Sequence, residues 1–193
     1  MTAILKVDTI QDTSGNNIIN ESSDTITIGA SGDTTNIIGT LQNNGAALAV
    51  ANTPAFYATR TGGNQSMSDN TWTKAQINSE LYDTANAYDN STNYRFTPQT
   101  SGKYYIFSCG VISDGGTQYE NNLKIYKNGS ALPEQQYNYQ ASGGNLSTHF
   151  IAVVCDMNGS SDYVEVYMKA DSNGSTPVVG NGSSFGAYKL IGV

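Results

Sequence analysis

All nineteen aromatic residues of this 193-residue chain, thirteen Tyr, five Phe and one Trp, lie from Phe56 onward. A segment without aromatics and rich in Asn, Ser, Thr and Gly cannot bury enough apolar surface to offset its own ordering entropy. The core is therefore expected in residues 54–193, enough chain to bury most of the surface of one domain. Residues 1–53 are expected to be stable only in company.

Within residues 54–193 short β-forming runs alternate with Gly/Asn/Ser turns roughly every eight to fifteen residues, the pattern of an all-β sandwich or jelly roll. The first run is Ala55–Thr59. Gln65–Thr73 carries the only tryptophan, Trp72, expected as a core or interface anchor rather than a ligand platform, and Lys74–Leu81 is read as a strand. Tyr94–Ile112 reads as strand, turn and strand, with Pro98 to Gly102 supplying the turn chemistry.

The second of those strands, Lys103–Ile112, is apolar on both faces and so needs cover on both. Tyr104, Tyr105, Ile106, Phe107, Cys109 and Val111 are the candidates. One alternate set is expected to enter the domain's own sandwich and the other to face a neighbouring chain, and the pattern does not say which. Phe150–Cys155 has the same two-sided character. Asp162–Ala170 instead alternates cleanly, with Val164, Val166, Met168 and Ala170 on one side. Asn121–Lys127 closes on Asn128-Gly129, a tight-hairpin signal because both positions tolerate positive φ. Ser184–Val193 is the last expected strand, and the domain is expected to end with it. Tyr119, Tyr137 and Tyr139 flank polar stretches read as long loops, where exposed tyrosine serves either recognition or simple anchoring.

The amino-terminal segment holds short runs at Lys6–Ile10, Asn17–Asn20, Thr25–Ile28 and Asn36–Ile38, and Ile28-Gly29 echoes at Ile38-Gly39. Strands this short become stable when several chains stack them. An extended attachment segment containing an intertwined β-stalk is the favoured reading, with a disordered tail as the alternative. Leu41–Val50 reads as a turn at Asn43-Asn44-Gly45 followed by a linker of small residues.

Several chemistries find no support. With nine basic residues against sixteen acidic and a net charge of -7, the chain has no Lys/Arg cluster to neutralise phosphates, so no nucleic acid is expected as a partner. No stretch approaches the roughly 20 apolar residues that span a bilayer, so membrane insertion is not expected. The start, Met1 to Asp8, lacks a signal-peptide core, which points to synthesis in the cytoplasm. Cys109 and Cys155 have no metal-ligand spacing and are read either as buried thiols or as a bridge between two strands. The only histidine, His149, has no nucleophile motif near it and reads as a satisfied strand-end side chain. Asp83 and Asp89 lack the ligand alternation of a calcium loop and read as turn residues. A carboxylate pair such as Glu120 with Glu134 is the one remaining catalytic option, of glycosidase type. No enzyme, cofactor or metal site is expected.

Two resemblances extend this reading. Ala55-Phe56-Tyr57-Ala58, Glu80-Leu81-Tyr82-Asp83, Tyr94-Arg95-Phe96-Thr97-Pro98, Ser101-Gly102-Lys103-Tyr104-Tyr105-Ile106-Phe107, Leu123 to Gly129 and the closing Phe185-Gly186-Ala187-Tyr188 resemble the globular heads of the complement C-one-q and tumour necrosis factor-like jelly rolls. The resemblance runs from Ala55 to Val193 and implies a ten-stranded-type sandwich assembled as a compact homotrimer without enzymatic activity. It departs from the family in the turn Asp156-Met157-Asn158-Gly159 and in lacking a collagen-like stalk. The segment Leu5 to Asn16, with Thr25 to Gly29 and Gly32 to Thr34, is similar to amino-terminal segments of structural and fibre proteins of tailed bacteriophages. That similarity implies a virion location, with residues 1 to about 50 fastened to another virion protein and the head contacting a host-surface glycan or receptor. The alternatives are a capsid decoration or head fibre without a receptor, a secreted carbohydrate-binding or signalling jelly roll, and an enzyme acting on surface polysaccharide.

Overall fold

The computed structural model describes residues 9–11, 13–15, 17–22, 25–28, 31–36, 38, 42–43, 46–47 and 52–191. Expectations that fall on Leu5 to Asp8, Gly29, Gly39, Leu41, Asn44-Gly45, Leu48 to Val50 and the last two residues lie outside these. The chain divides into two units, Met1–Ala49 and Val50–Val193.

In the first unit, β1 (Thr9–Gln11), β2 (Asn17–Ser22) and β3 (Thr25–Ile28) form an antiparallel meander, and β4 (Gln42–Asn43) pairs with β5 (Ala46–Ala47). The register sets Ile10 opposite Ile19 and Ile19 opposite Ile28, so three isoleucines form one row across the sheet. All three are exposed within the chain. Of the two echoing runs, Thr25–Ile28 is a strand, whereas the described residues of the second, Asn36 and Ile38, lie outside any strand, and Ile38 is 95% exposed.

The second unit contains β6 (Ala55–Thr59), β7 (Gln65–Ser66), β8 (Thr73–Lys74), β9 (Ser79–Asp83), β10 (Tyr88–Asp89), β11 (Arg95–Phe96), β12 (Ser101–Lys127), β13 (Ser130–Asn158), β14 (Val164–Asp171), β15 (Val178–Val179) and β16 (Ser184–Lys189), with no helix among the described residues. Strands β12 and β13 are one long hairpin whose two halves serve two layers. Residues 101–113 of β12 and 146–158 of β13 join β16, β6 and β9 in a first sheet. The second half of β12 pairs with the start of β13 on one side and with β14 on the other, and β14 extends this second sheet through β11 to β10 and carries β8. The hairpin closes at Asn128 and Gly129, whose φ values of 51° and 78° are the positive pair a type I′ turn requires.

The core lies between the layers and is aromatic at its centre. Phe56 stacks on Tyr88 and Phe96 at 4.5 and 4.6 Å between centroids and meets Phe185 edge-on at 5.0 Å. Val164, Val166, Met168 and Ala170 of β14 all point inward, as their alternation predicts. This is an all-β jelly roll.

Local assignments differ in two places. Lys74–Leu81 is not one strand: β8 ends at Lys74, β9 begins at Ser79, and Ala75 and Ile77 turn into the core between them. The Tyr88 hydroxyl donates to the Ile77 carbonyl at 2.7 Å and secures that turn. Of Gln65–Thr73 only the two ends are strand. Trp72 is half-buried at the surface rather than in the core.

Candidate association face

The two-sided strand Lys103–Ile112 resolves into two faces with different fates. Tyr104, Ile106, Ser108 and Ile112 are fully buried between the sheets. Tyr105, Phe107, Cys109 and Val111 point the other way and are only half-buried. The candidate residues are thus split by parity, Tyr104 and Ile106 to the core and the other four to the outer face of the first sheet.

The register shows what surrounds them. Tyr105 sits between Tyr188 and Val154, Phe107 between Gly186 and Ala152, and Cys109 between Ser184 and Phe150. Rings run continuously over this face: Tyr57 to Phe107 at 6.1 Å, Phe107 to Tyr105 at 5.9 Å, Tyr105 to Tyr188 at 5.4 Å, and Tyr57 to Tyr82 at 6.5 Å. Gly186 leaves room for the Phe107 ring, whose tip lies 2.5 Å from where a Cβ would sit and would have to move aside for one. Toward the β13 edge, Leu146, Phe150 and Val154 are 60%, 55% and 58% exposed. One exposed ion pair, Lys103 with Asp156 at 2.8 Å, borders the patch. A contiguous aromatic and aliphatic surface of this kind is of the type that interaction sites bury. Phe150 and Val154 fall in the run read as two-sided, where alternation places them on one face with Ala152 but does not say which face is outer; Tyr57 and Tyr188 were not singled out as members of this surface.

Cys109 and Cys155 are both free thiols. Cys109 is on the outer face and Cys155 opposes Tyr104 on the inner face, so the sheet itself separates them and no bridge can join them within one chain. Burial raises both thiol pKa values and keeps them protonated. His149 is buried with its Nε2 3.0 Å from the Ser147 hydroxyl, and burial lowers its pKa. Tyr119, Tyr137 and Tyr139 do not sit in loops. Tyr119 belongs to β12 and the other two to β13, where Tyr137 opposes Asn122 and Tyr139 opposes Glu120; Tyr137 is 51% exposed.

A polar cleft of about 590 Å³ opens beside β10 and is bordered by Glu80, Asp89, Asn93 and Arg95. Asp89 is already committed to its turn. Its Oδ1 accepts the Ser91 and Thr92 amides and its Oδ2 the Asn93 amide and side chain. The Thr92 amide is the largest of the influences that hold its pKa well below the ordinary carboxylate value. Asp83 likewise accepts the Ala85 and Tyr88 amides. Burial first, and then Asp83 and Asp89, raise the pKa of Glu80. Glu120 is held by Lys169 and Asn122 at 3.0 and 2.7 Å. Among the described residues no three His, Cys, Asp or Glu side chains gather to hold a metal, and no helix is long and apolar enough to cross a membrane.

The chain matches no protein-family model and no curated protein. In structure it is similar to the globular domain of the zebrafish complement 1qA protein, with a TM-score of 0.50 at 14% identity over 71% of this chain and 96% of that one. It is similar to murine APRIL at a TM-score of 0.52 and 12% identity, covering 70% of this chain and 98% of that one. It is also similar to the vertex protein of the phage PRD1 at a TM-score of 0.51 and 16% identity, covering 73% and 99%. These likenesses are of fold, and the fold is the complement/tumour necrosis factor-like jelly roll that the motifs resemble.

Proposed function

We propose that the protein is a non-enzymatic structural component of a bacteriophage particle, a homotrimer in which the outer face of the first sheet packs around a threefold axis. The observation that carries this reading is the continuous outer-face run of half-buried Tyr57, Tyr105 and Phe107 with exposed Phe150 and Val154. A head-to-tail contact that closes after three copies gives each copy the second cover its two-sided strand requires. The row formed by Ile10, Ile19 and Ile28 supports a matching role for residues 1–53, a segment that completes its core against sister chains and another virion protein. The head then faces outward and contacts the host surface, where three linked sites add through effective concentration.

A second reading is favoured by the likeness to a vertex protein: the same trimer stands on the capsid rather than on the tail. Gold-labelled antibody against residues 54–193, imaged on intact particles, separates these readings. Label at the tail tip supports host attachment and label over the capsid supports decoration, whereas particles without label refute a virion role.

A further inference from the structure

The outer face of the second sheet is built quite differently from that of the first. Its outward positions on β12 and β14 are Glu120, Asn122, Lys124 and Tyr126 opposite Asp171, Lys169, Tyr167 and Glu165, without one aliphatic residue. Tyr126 packs on Tyr167 at 4.1 Å and Trp72 lies 6.4 Å from Tyr126, so three half-buried rings form a strip over the sheet. Lys124 places its Nζ 5.5 Å from the Trp72 ring centre. The Lys, Glu and Asp side chains interleaved with these rings are the ones that the dry cores of protein contacts exclude. Rings bordered by hydrogen-bonding side chains instead suit a ligand with flat C–H faces and many hydroxyls, which is a sugar chain.

Charge narrows the class. Lys74, Arg95, Lys124 and Lys169 belong to this face with Asp89, Glu120, Glu165 and Asp171, giving it four of the nine bases and four of the sixteen acids in the chain. Elsewhere acids outnumber bases by twelve to five. Lys74 is paired with Glu165 and Lys169 with Glu120, but Lys124 and Arg95 form no ion pair among the described residues and lie over the rings of Trp72 and Tyr163. An anion completes such a site. The exposed Tyr137, opposite the buried Asn122, supplies a neutral hydrogen-bonding group at the far end of the strip.

We propose that this face binds an acidic glycan, its sugar rings stacked on Trp72, Tyr126 and Tyr167 and a carboxylate held by Lys124. The biological meaning rests on the host-contacting role proposed above, whereas the binding itself does not. Trp72 is the only tryptophan, so its fluorescence reports directly on the site. The full chain is titrated with uronic-acid and sialic-acid oligomers, with neutral oligomers of equal length, and with dextran sulfate and duplex DNA as plain polyanions. The expected result is a saturable shift of Trp72 emission by at least one carboxylated oligomer at about 1 mM or below. Lys124→Ala should weaken that binding roughly tenfold, the scale of one charge-assisted hydrogen bond, and Tyr167→Ala should weaken acidic and neutral oligomers alike. Native mass and far-ultraviolet circular dichroism identify variants that misfold, and the wild-type titration stands without them. The proposal is overturned if no carboxylated oligomer shifts the emission, if Lys124→Ala leaves binding unchanged, or if sulfate polymer and DNA bind as well as the glycans. Binding by a protein missing from particles would overturn the virion role and keep the site; a particle-borne trimer that does not bind would do the reverse.

Discussion

Ile106 and Val154 give the sharpest test of the two-faced first sheet, because one is sealed in the sandwich and the other stands on the outer face. Ile106 is fully buried, and Ile106→Ala removes buried carbon and leaves a cavity, at a cost of about 2–5 kcal/mol. At roughly 2–4 °C per kcal/mol for a domain of this size, melting should fall by about 5–15 °C. Val154 is 58% exposed in the single chain, so Val154→Asp should change the stability of an isolated head by no more than about 0.5 kcal/mol. In the proposed trimer the same substitution would bring three carboxylates into an apolar contact, and each buried unpaired charge costs several kcal/mol. Native mass spectrometry and melting at several concentrations read the two effects separately. The expected outcome is a trimeric mass with lowered melting for Ile106→Ala. Val154→Asp should give a single-chain mass and concentration-independent melting, together with faster alkylation of Cys109, which lies on the same face. If Val154→Asp keeps the wild-type mass, or unfolds the chain as severely as Ile106→Ala, the outer face is not the association surface.

The remaining predictions concern the head itself. Lys74→Ala strips the partner from Glu165, whose side chain is only 4% exposed, and should cost about 3 kcal/mol by chemical denaturation; Lys103→Ala, from a pair 46% and 75% exposed, should cost under about 1 kcal/mol. Equal losses would remove the burial argument. Asp69 ties two loops together, accepting the Ser172 amide and hydroxyl and the Gly174 amide at 2.7, 2.9 and 2.8 Å, and the Ser172 amide is the leading cause of its lowered pKa. A carboxylate with a depressed folded pKa contributes stability that is present above its unfolded value, about 4, and is lost as pH falls through the folded value. Melting should therefore drop as pH falls below about 4, and less steeply in Asp69→Asn; an unchanged slope would show that Asp69 does not contribute to it.

How much of this was legible in the sequence depended on whether one residue type could satisfy only one environment. Strand β14 was readable because Val164, Val166, Met168 and Ala170 alternate with polar neighbours, and only one face of such a strand tolerates burial. The Asn128-Gly129 hairpin was readable because few other pairs accept two positive φ values. Lys103–Ile112 could not be oriented, since both of its side-chain sets are apolar and the choice is made by β16 and β13, distant in sequence. Tyr119, Tyr137 and Tyr139 were placed in loops because their surroundings are rich in Asn, Gln and Gly. Backbone pairing between β12 and β13 needs no apolar side chains and carries the hairpin through that stretch. Glu165 sits at an outward position of a readable strand yet is buried, because Arg95 and the Lys74 strand close over the sheet edge. The Trp72, Tyr126 and Tyr167 strip was invisible for the same reason: its members come from three elements that only the fold brings together.

The proposed threefold contact through the outer face of the first sheet is open to direct view by electron cryomicroscopy of the assembled protein. Three heads are expected, with Tyr105, Phe107, Phe150 and Val154 lining their common axis and the Trp72 face turned to solvent. A single head, or an assembly that leaves Phe150 and Val154 in solvent, would overturn the proposal.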